Sequence, residues 1–208
     1  MNKHPFQCPR ITALGLALLG SIILIISACG TTSGMKAPVE TTGKEVSTSL
    51  ARFDNVVVLD FRDQASANMK KLTADELAEY KRQLMIACTR FSDLIATEIR
   101  ETDQFATVSR SEQELPDAIL ISGDITRFKE GSGGLRLWIG FGAGGSYFDA
   151  TVTFTDLATG EVLGTMSIDK NSWALGGAIA SAQTVETFMQ SAAKKIAMEL
   201  ESAKLRKS

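Results

Sequence analysis

Residues 148–155, Phe-Asp-Ala-Thr-Val-Thr-Phe-Thr, decide the fold. Phe148, Ala150, Val152 and Phe154 fall on one side of an extended chain, and Asp149, Thr151, Thr153 and Thr155 on the other. A period of two predicts a strand with one face on a core and the other in water, the habit of antiparallel sheets. Leu157-Ala158-Thr159-Gly160 can turn the chain, with Gly160 free to take positive φ. Val162, Gly164, Met166 and Ile168 are then expected to return on the same inner face.

Upstream, Ala118 to Phe128 reads as a long strand broken at Gly123 by a bulge, and Phe105 to Ser109 as a short one. Asn55 to Phe61 is a β-branched apolar run of the kind found in strands covered on both faces. Thr73-Ala74-Asp75-Glu76 fits a capping box and predicts a helix from there to about Glu101. Leu77, Leu84, Phe91 and Glu98 recur every seven residues, with Tyr80, Ala87, Leu94 and Ile95 on the same side. Cys88 lies beside that stripe and reads as a small buried hydrophobe. A last helix from about Ser181 places Val185, Phe188, Met189, Ala192, Ile196 and Leu200 on one face. Its end carries Lys194, Lys195, Lys204, Arg206 and Lys207, charges that suit a helix C-terminus and a solvated face. The order β-α-β-β-β-β-α predicts an α+β fold, a mixed and mainly antiparallel sheet with two amphipathic helices packed on it.

The beginning of the chain is of another kind. Lys3, His4 and Arg10 precede the apolar run Ala13 to Ile26, and small residues Ser27 and Ala28 follow. A basic start, a short apolar centre and a small-residue cleavage site describe a secretory signal over residues 1–28. Half of the positions from Gly30 to Ala51 are Thr, Ser or Gly, so residues 29–52 read as a flexible tether. Residues 53–208 then form one domain, large enough for its own core.

Composition excludes more than it suggests. The 208 residues hold 22 Lys+Arg against 24 Asp+Glu, and 44% are hydrophobic. A net charge of −2 gives no electrostatic ground for a nucleic-acid partner. His4 is the single histidine and leaves with the signal, as does Cys8. His- or Cys-based metal sites, Ser-His-Asp triads and Cys-His pairs then lack their parts. Gly140 to Gly145 satisfies G-x-G-x-x-G, but a strand follows it, not the helix N-terminus that a nucleotide's pyrophosphate needs. Ser191-Ala192-Ala193-Lys194 satisfies S-x-x-K on an amphipathic helix, without the partner motifs of penicillin-binding enzymes. Asp60, Asp63, Asp117, Asp124 and Asp149 have no spacing that forces a catalytic pair to converge. No catalytic residue, metal or cofactor is expected.

One feature points to recognition. Gly131 to Gly145 holds seven glycines interleaved with Leu135, Leu137, Trp138, Ile139 and Phe141, and Trp173-Ala174-Leu175-Gly176-Gly177 repeats the flavour. Packing in the core would explain this composition, and so would a surface made for another protein or for lipid. Leu135, Trp138, Phe141, Tyr147 and Trp173 are the candidate interaction residues.

Two resemblances add to this reading. Ile26-Ser27-Ala28-Cys29 resembles the lipobox of bacterial lipoproteins. That resemblance implies cleavage between Ala28 and Cys29 and acylation of Cys29. With Gly30 where inner-membrane lipoproteins carry Asp, it also implies the outer membrane, facing the periplasm. Two or more acyl chains anchor durably where one does not. The stretches Asp117 to Phe128, Gly140 to Gly144 and Asp156 to Glu161 resemble a family of bacterial lipoproteins known only as a domain of unknown function, over roughly Val56 to Leu200. The order of elements also resembles the curli-secretion lipoprotein, the lipoprotein activators of penicillin-binding proteins and the N-terminal domain of TolB. None of these carries catalytic residues to transfer.

The expected function is therefore a lipid-anchored module that binds an envelope protein. The alternative is an oligomeric secretion or pore subunit like the curli-secretion lipoprotein, against which stands the glycine-broken alternation of the candidate membrane strands. Association with further copies of itself is open on either reading. A Cys29→Ala variant should accumulate as an unprocessed, non-acylated precursor, detected by intact mass; normal cleavage of that variant would refute the lipobox reading.

Overall fold

The structure is a computed structural model that describes residues 30–37, 50–69, 72–111, 115–130, 145–171 and 184–206. Its strands are β1 (Gly30–Thr32), β2 (Asn55–Val58), β3 (Arg62–Asp63), β4 (Thr107–Ser109), β5 (Ala118–Lys129), β6 (Tyr147–Asp156) and β7 (Val162–Asn171). Its helices are α1 (Ala74–Glu101) and α2 (Val185–Leu205), with a 3₁₀ turn at Ser66–Asn68. The sheet runs β1-β7-β6-β5-β2-β4, and β3 adds to β5 beyond β2. Strand β2 lies parallel to both β4 and β5, while β1, β5, β6 and β7 pair antiparallel. The fold is thus α+β with a mixed, open sheet and two helices, as the element order predicts.

Local chemistry sets the helix starts. The Thr73 hydroxyl accepts from the Glu76 amide, while the Glu76 carboxylate accepts from the Thr73 amide at 2.9 Å. Thr184 and Thr187 make the equivalent reciprocal pair before α2. Each box satisfies amides that a helix start otherwise leaves without partners. The stripe Val185, Phe188, Met189, Ala192, Ile196 and Leu200 is buried as read.

Both helices cover one face of the sheet. Beneath them Phe148, Ala150, Val152 and Phe154 of β6 are buried, opposite Ile119, Ile121 and Ile125 of β5 and Met166 and Ile168 of β7. Phe91 of α1 stands edge-on between Phe61 and Phe148, with ring centroids 4.8 and 5.0 Å away. Ser92 beside it is fully buried yet satisfied: its hydroxyl accepts from the Phe61 amide and donates to the Cys88 carbonyl. The other face carries Ser122, Thr151, Thr153, Thr165 and Ser167 on neighbouring strands.

Three local expectations are corrected. Gly123 is not a bulge: it pairs in register with Val152, and the shift falls between Ile125 and Arg127. A glycine is needed there because a Cβ would sit 2.1 Å from the Thr151 carbonyl oxygen and 2.5 Å from the Phe61 ring. A second shift, opposite Phe154 and Thr155, inserts Leu163 between Val162 and Gly164. That extra residue turns Leu163 inward and leaves Val162 exposed, against the expected inner face. Gly160 does take positive φ, at 74°.

The third concerns the stretch read as a tether. Its described part, 30–37, lies along the sheet edge: β1 pairs with β7, and Lys36 and Thr165 exchange both backbone hydrogen bonds at 2.9 Å. Ser33 donates to Ser167, and the Met35 amide to the Glu199 carboxylate. Strand β7 offers a free row of amides and carbonyls, and this segment satisfies them. Leu50, before the expected domain boundary, is also fully buried. Residues 38–49 lie outside the described residues, as do Ser181 to Gln183 at the expected start of the last helix.

Gly123→Ala should lower stability by at least about 2 kcal/mol, because the new methyl meets a backbone oxygen that cannot move aside. Chemical denaturation against the parent checks it; an unchanged midpoint would contradict the close packing of Phe61 on β5.

Candidate interaction site

The pairing register brings one end of the sheet together. Gly30, Lys170, Phe148 and Phe128 form one row across four strands. The next row outward is Asn171, Tyr147 and Lys129. Cys29 is bonded to Gly30, so a residue that sequence assigns to lipid attachment joins the chain at this end. The chain between β5 and β6 also leaves and returns here, at Glu130 and Gly145, as does the chain from Asn171 to Thr184.

Of the candidate residues, Tyr147 is placed in this end row. Leu135, Trp138, Phe141, Trp173 and Cys29 lie outside the described residues. Tyr147 does not stand alone. The Arg127 guanidinium lies over its ring at 4.7 Å and the Lys129 ammonium at 5.9 Å. Arg127 also bridges Asp149, at 2.7 Å, and Asp169, at 3.6 Å. Those two carboxylates face each other across β6 and β7, where like charges would repel without it. Burial, with help from Asp169, holds the Asp149 carboxyl above its ordinary range even though Arg127 pulls it down.

The residue that sequence reading passed over is Lys170. It occupies the inner phase of β7 after Met166 and Ile168, opposite Phe148, and is only 7% exposed. No described carboxylate pairs with it, and burial lowers its pKa. A lysine on the apolar phase of an alternating strand is the signal that could have found it. Lys129, by contrast, is exposed on the outer face.

The five aspartates do not form a catalytic centre. Asp60 pairs with Arg110 and accepts from Thr89, and Asp63 caps the Ser66 amide. Asp124 is held by both nitrogens of Arg62, at 2.8 and 3.0 Å. Asp117 sits at a φ of 46° before β5, its carbonyl accepting from Asp54 and Asn55. Only Asp60 and Asp63 line a common shallow cleft, with Ser66, Lys81 and Cys88. Burial, and then these two carboxylates, push the Cys88 thiol up to about 12. No group of three or more metal-ligating side chains occurs among the described residues. No helix among them is long and apolar enough to cross a membrane.

A second cleft lies between α1, the start of α2 and the end of β5, lined by Ile86, Ala87, Arg90, Phe128, Val185 and Met189. Met85 and Ile86 beside it are more than half exposed. This apolar cleft and the Tyr147 row are the described surfaces suited to recognition.

Without a charge partner among the described residues, the buried Lys170 ammonium is destabilising, so Lys170→Met should raise stability by about 1–2 kcal/mol. The sign with pH follows. Between the lowered pKa and the ordinary value of 10.5, the unfolded chain holds a proton that the native lysine has released. Parent stability therefore rises with pH in that window, and the rise vanishes in the variant. Thermal melts of both proteins from pH 7 to 11 check it; a less stable Lys170→Met protein would mean that the ammonium has a partner.

Against known proteins, no curated protein matches the sequence. Among solved structures, the chain is similar to a leucine-to-methionine variant of the PelC dodecamer from Paraburkholderia phytofirmans, at 17% identity and a TM-score of 0.51, over 82% of this chain and 96% of that one. A second crystal form of the PelC dodecamer from that organism matches at 16% identity and 0.48, with the same coverage. A Xanthomonas campestris protein of the DUF330 family matches at 11% identity and 0.41, over 69% and 81% of the two chains. At such identities the first likeness is one of fold. The family model for a domain of unknown function, DUF4410, matches residues 56–176, more than half of the chain and all three quoted stretches. The chain belongs to the DUF4410 family.

Proposed function

We propose that this protein is a lipid-anchored lipoprotein of the cell envelope, held in the outer membrane and facing the periplasm, whose α+β domain works by binding another protein and not by catalysis. The observation that carries the reading is the β1–β7 register. It ties the residue after Cys29 to the end of the sheet from which the two glycine- and aromatic-rich segments depart. An anchor and a recognition surface on one end suit a module that works at a membrane. The ion-paired aspartates and the high pKa of Cys88 agree with a non-catalytic role. The acyl chains on Cys29 are the attachment this reading requires; it assigns no cofactor, nucleotide or nucleic acid.

A second reading, assembly into a ring of identical subunits, is favoured by the fold shared with the PelC dodecamer. The native, acylated protein extracted in mild detergent separates the two by light scattering after size exclusion, with bound proteins identified by mass spectrometry. A monomer or small complex with one reproducible companion is the expected result. A large homomeric ring would replace it with the second reading, and a bare monomer would refute both.

A further inference from the structure

The register that places Gly30 also fixes which end of the domain a membrane would meet. This inference rests on the reading of Cys29 as acylated. Cys29 follows on from the Gly30–Lys170–Phe148–Phe128 row, so its acyl chains enter the bilayer within a residue or two of the Asn171–Tyr147–Lys129 row. The turn at Gly160 lies at the opposite end of β6 and β7, about 30 Å away along the strands.

The chemistry of the near end suits lipid headgroups. Arg127 is spent on Asp149 and Asp169, but neither Lys129 nor Lys170 has a carboxylate partner among the described residues. Tyr147 pairs with Lys129 on the outer face, one row beyond Lys170, and has an apolar ring and a polar tip. Long cationic chains and tyrosine are the side chains that settle where hydrocarbon meets water. An exposed lysine such as Lys129 is drawn to an anionic leaflet. The cleft between the helices has an apolar lining but nothing that defines its occupant, whereas this end has both an anchor point and a charge.

We propose that the sheet end formed by Lys129 and Tyr147 lies against the phospholipid surface, Lys129 at the level of the phosphates, so that the strands stand away from the membrane and the Gly160 turn points into the periplasm.

The test uses the full-length, acylated protein in vesicles of phosphatidylethanolamine and phosphatidylglycerol. Glu130→Cys or Thr159→Cys carries a fluorophore, and the lipids carry a nitroxide on the headgroup. Native Cys88 is 4% exposed and stays unlabelled. Several-fold stronger quenching at position 130 than at 159 is expected; equal or reversed quenching in an acylated protein overturns the orientation. An intact mass without acyl chains on Cys29 overturns the anchoring reading itself, so the two failures are distinguishable. Adding Lys129→Gln and Tyr147→Thr to the labelled protein should narrow the contrast between positions. An unchanged contrast would overturn the role given to those side chains.

Discussion

The fold depends on Phe91. An open sheet with one greasy face must be capped, and α1 does so by setting this ring edge-on between Phe61 and Phe148. Phe61 closes in turn over Gly123 of β5, where the missing side chain lets the ring approach the backbone. Helix, the segment after β2, and the two long central strands thus meet in one column. Burying an aromatic side chain contributes about 1.5–3 kcal/mol, and pairs of rings add about 0.5–1.5 kcal/mol. The column also explains why α1 can serve as the crossover between parallel strands β2 and β4: its apolar stripe has a fixed place to land.

Elements whose burial follows from local periodicity were legible in the sequence. The alternation of 148–155 and both helical stripes are one-dimensional records of a face, and the structure buries those faces, with Leu77, Tyr80 and Glu98 of the α1 stripe only partly covered. The capping box at Thr73 is a four-residue motif and needs nothing else. What was not legible depends on pairing between distant residues. The role of Gly123 is set by Phe61 and Thr151, and the inserted Leu163 by the length of the opposing strand. The edge strand at residues 30–32 has the composition of a tether; β7 gives it order, through backbone groups that composition does not encode. The candidate site divides the same way. Tyr147 was visible as an aromatic beside a glycine run, whereas its grouping with Lys129 and Lys170 exists only once three strands are in register.

On the reading of Cys29 as an acylated anchor, a strand that begins one residue later would change what that anchor could do. A long random coil between lipid and domain would decouple their orientations. Here residues 30–37 run along β7, and the Met35 amide bonds to Glu199 of α2, so this segment is fixed to sheet and helix alike. The domain would then be presented to the membrane in a restricted pose.

The way the sheet ends limits how copies of the protein could meet. Its long strands, β5 to β7, are interior, and the order is closed by β1 and β4, each of three residues. Short edge strands offer few unpaired backbone groups and discourage pairing with another sheet. Its outer face is equally unsuited to packing, because hydroxyls alternate there with aspartates already matched to Arg62 and Arg127. Among the described residues, a second copy would therefore meet side-chain surfaces such as the cleft beside Met85 and Ile86 more readily than a sheet edge. Contacts of that kind can be gained or lost without disturbing the Phe91 column, so the fold can persist while its oligomeric state changes.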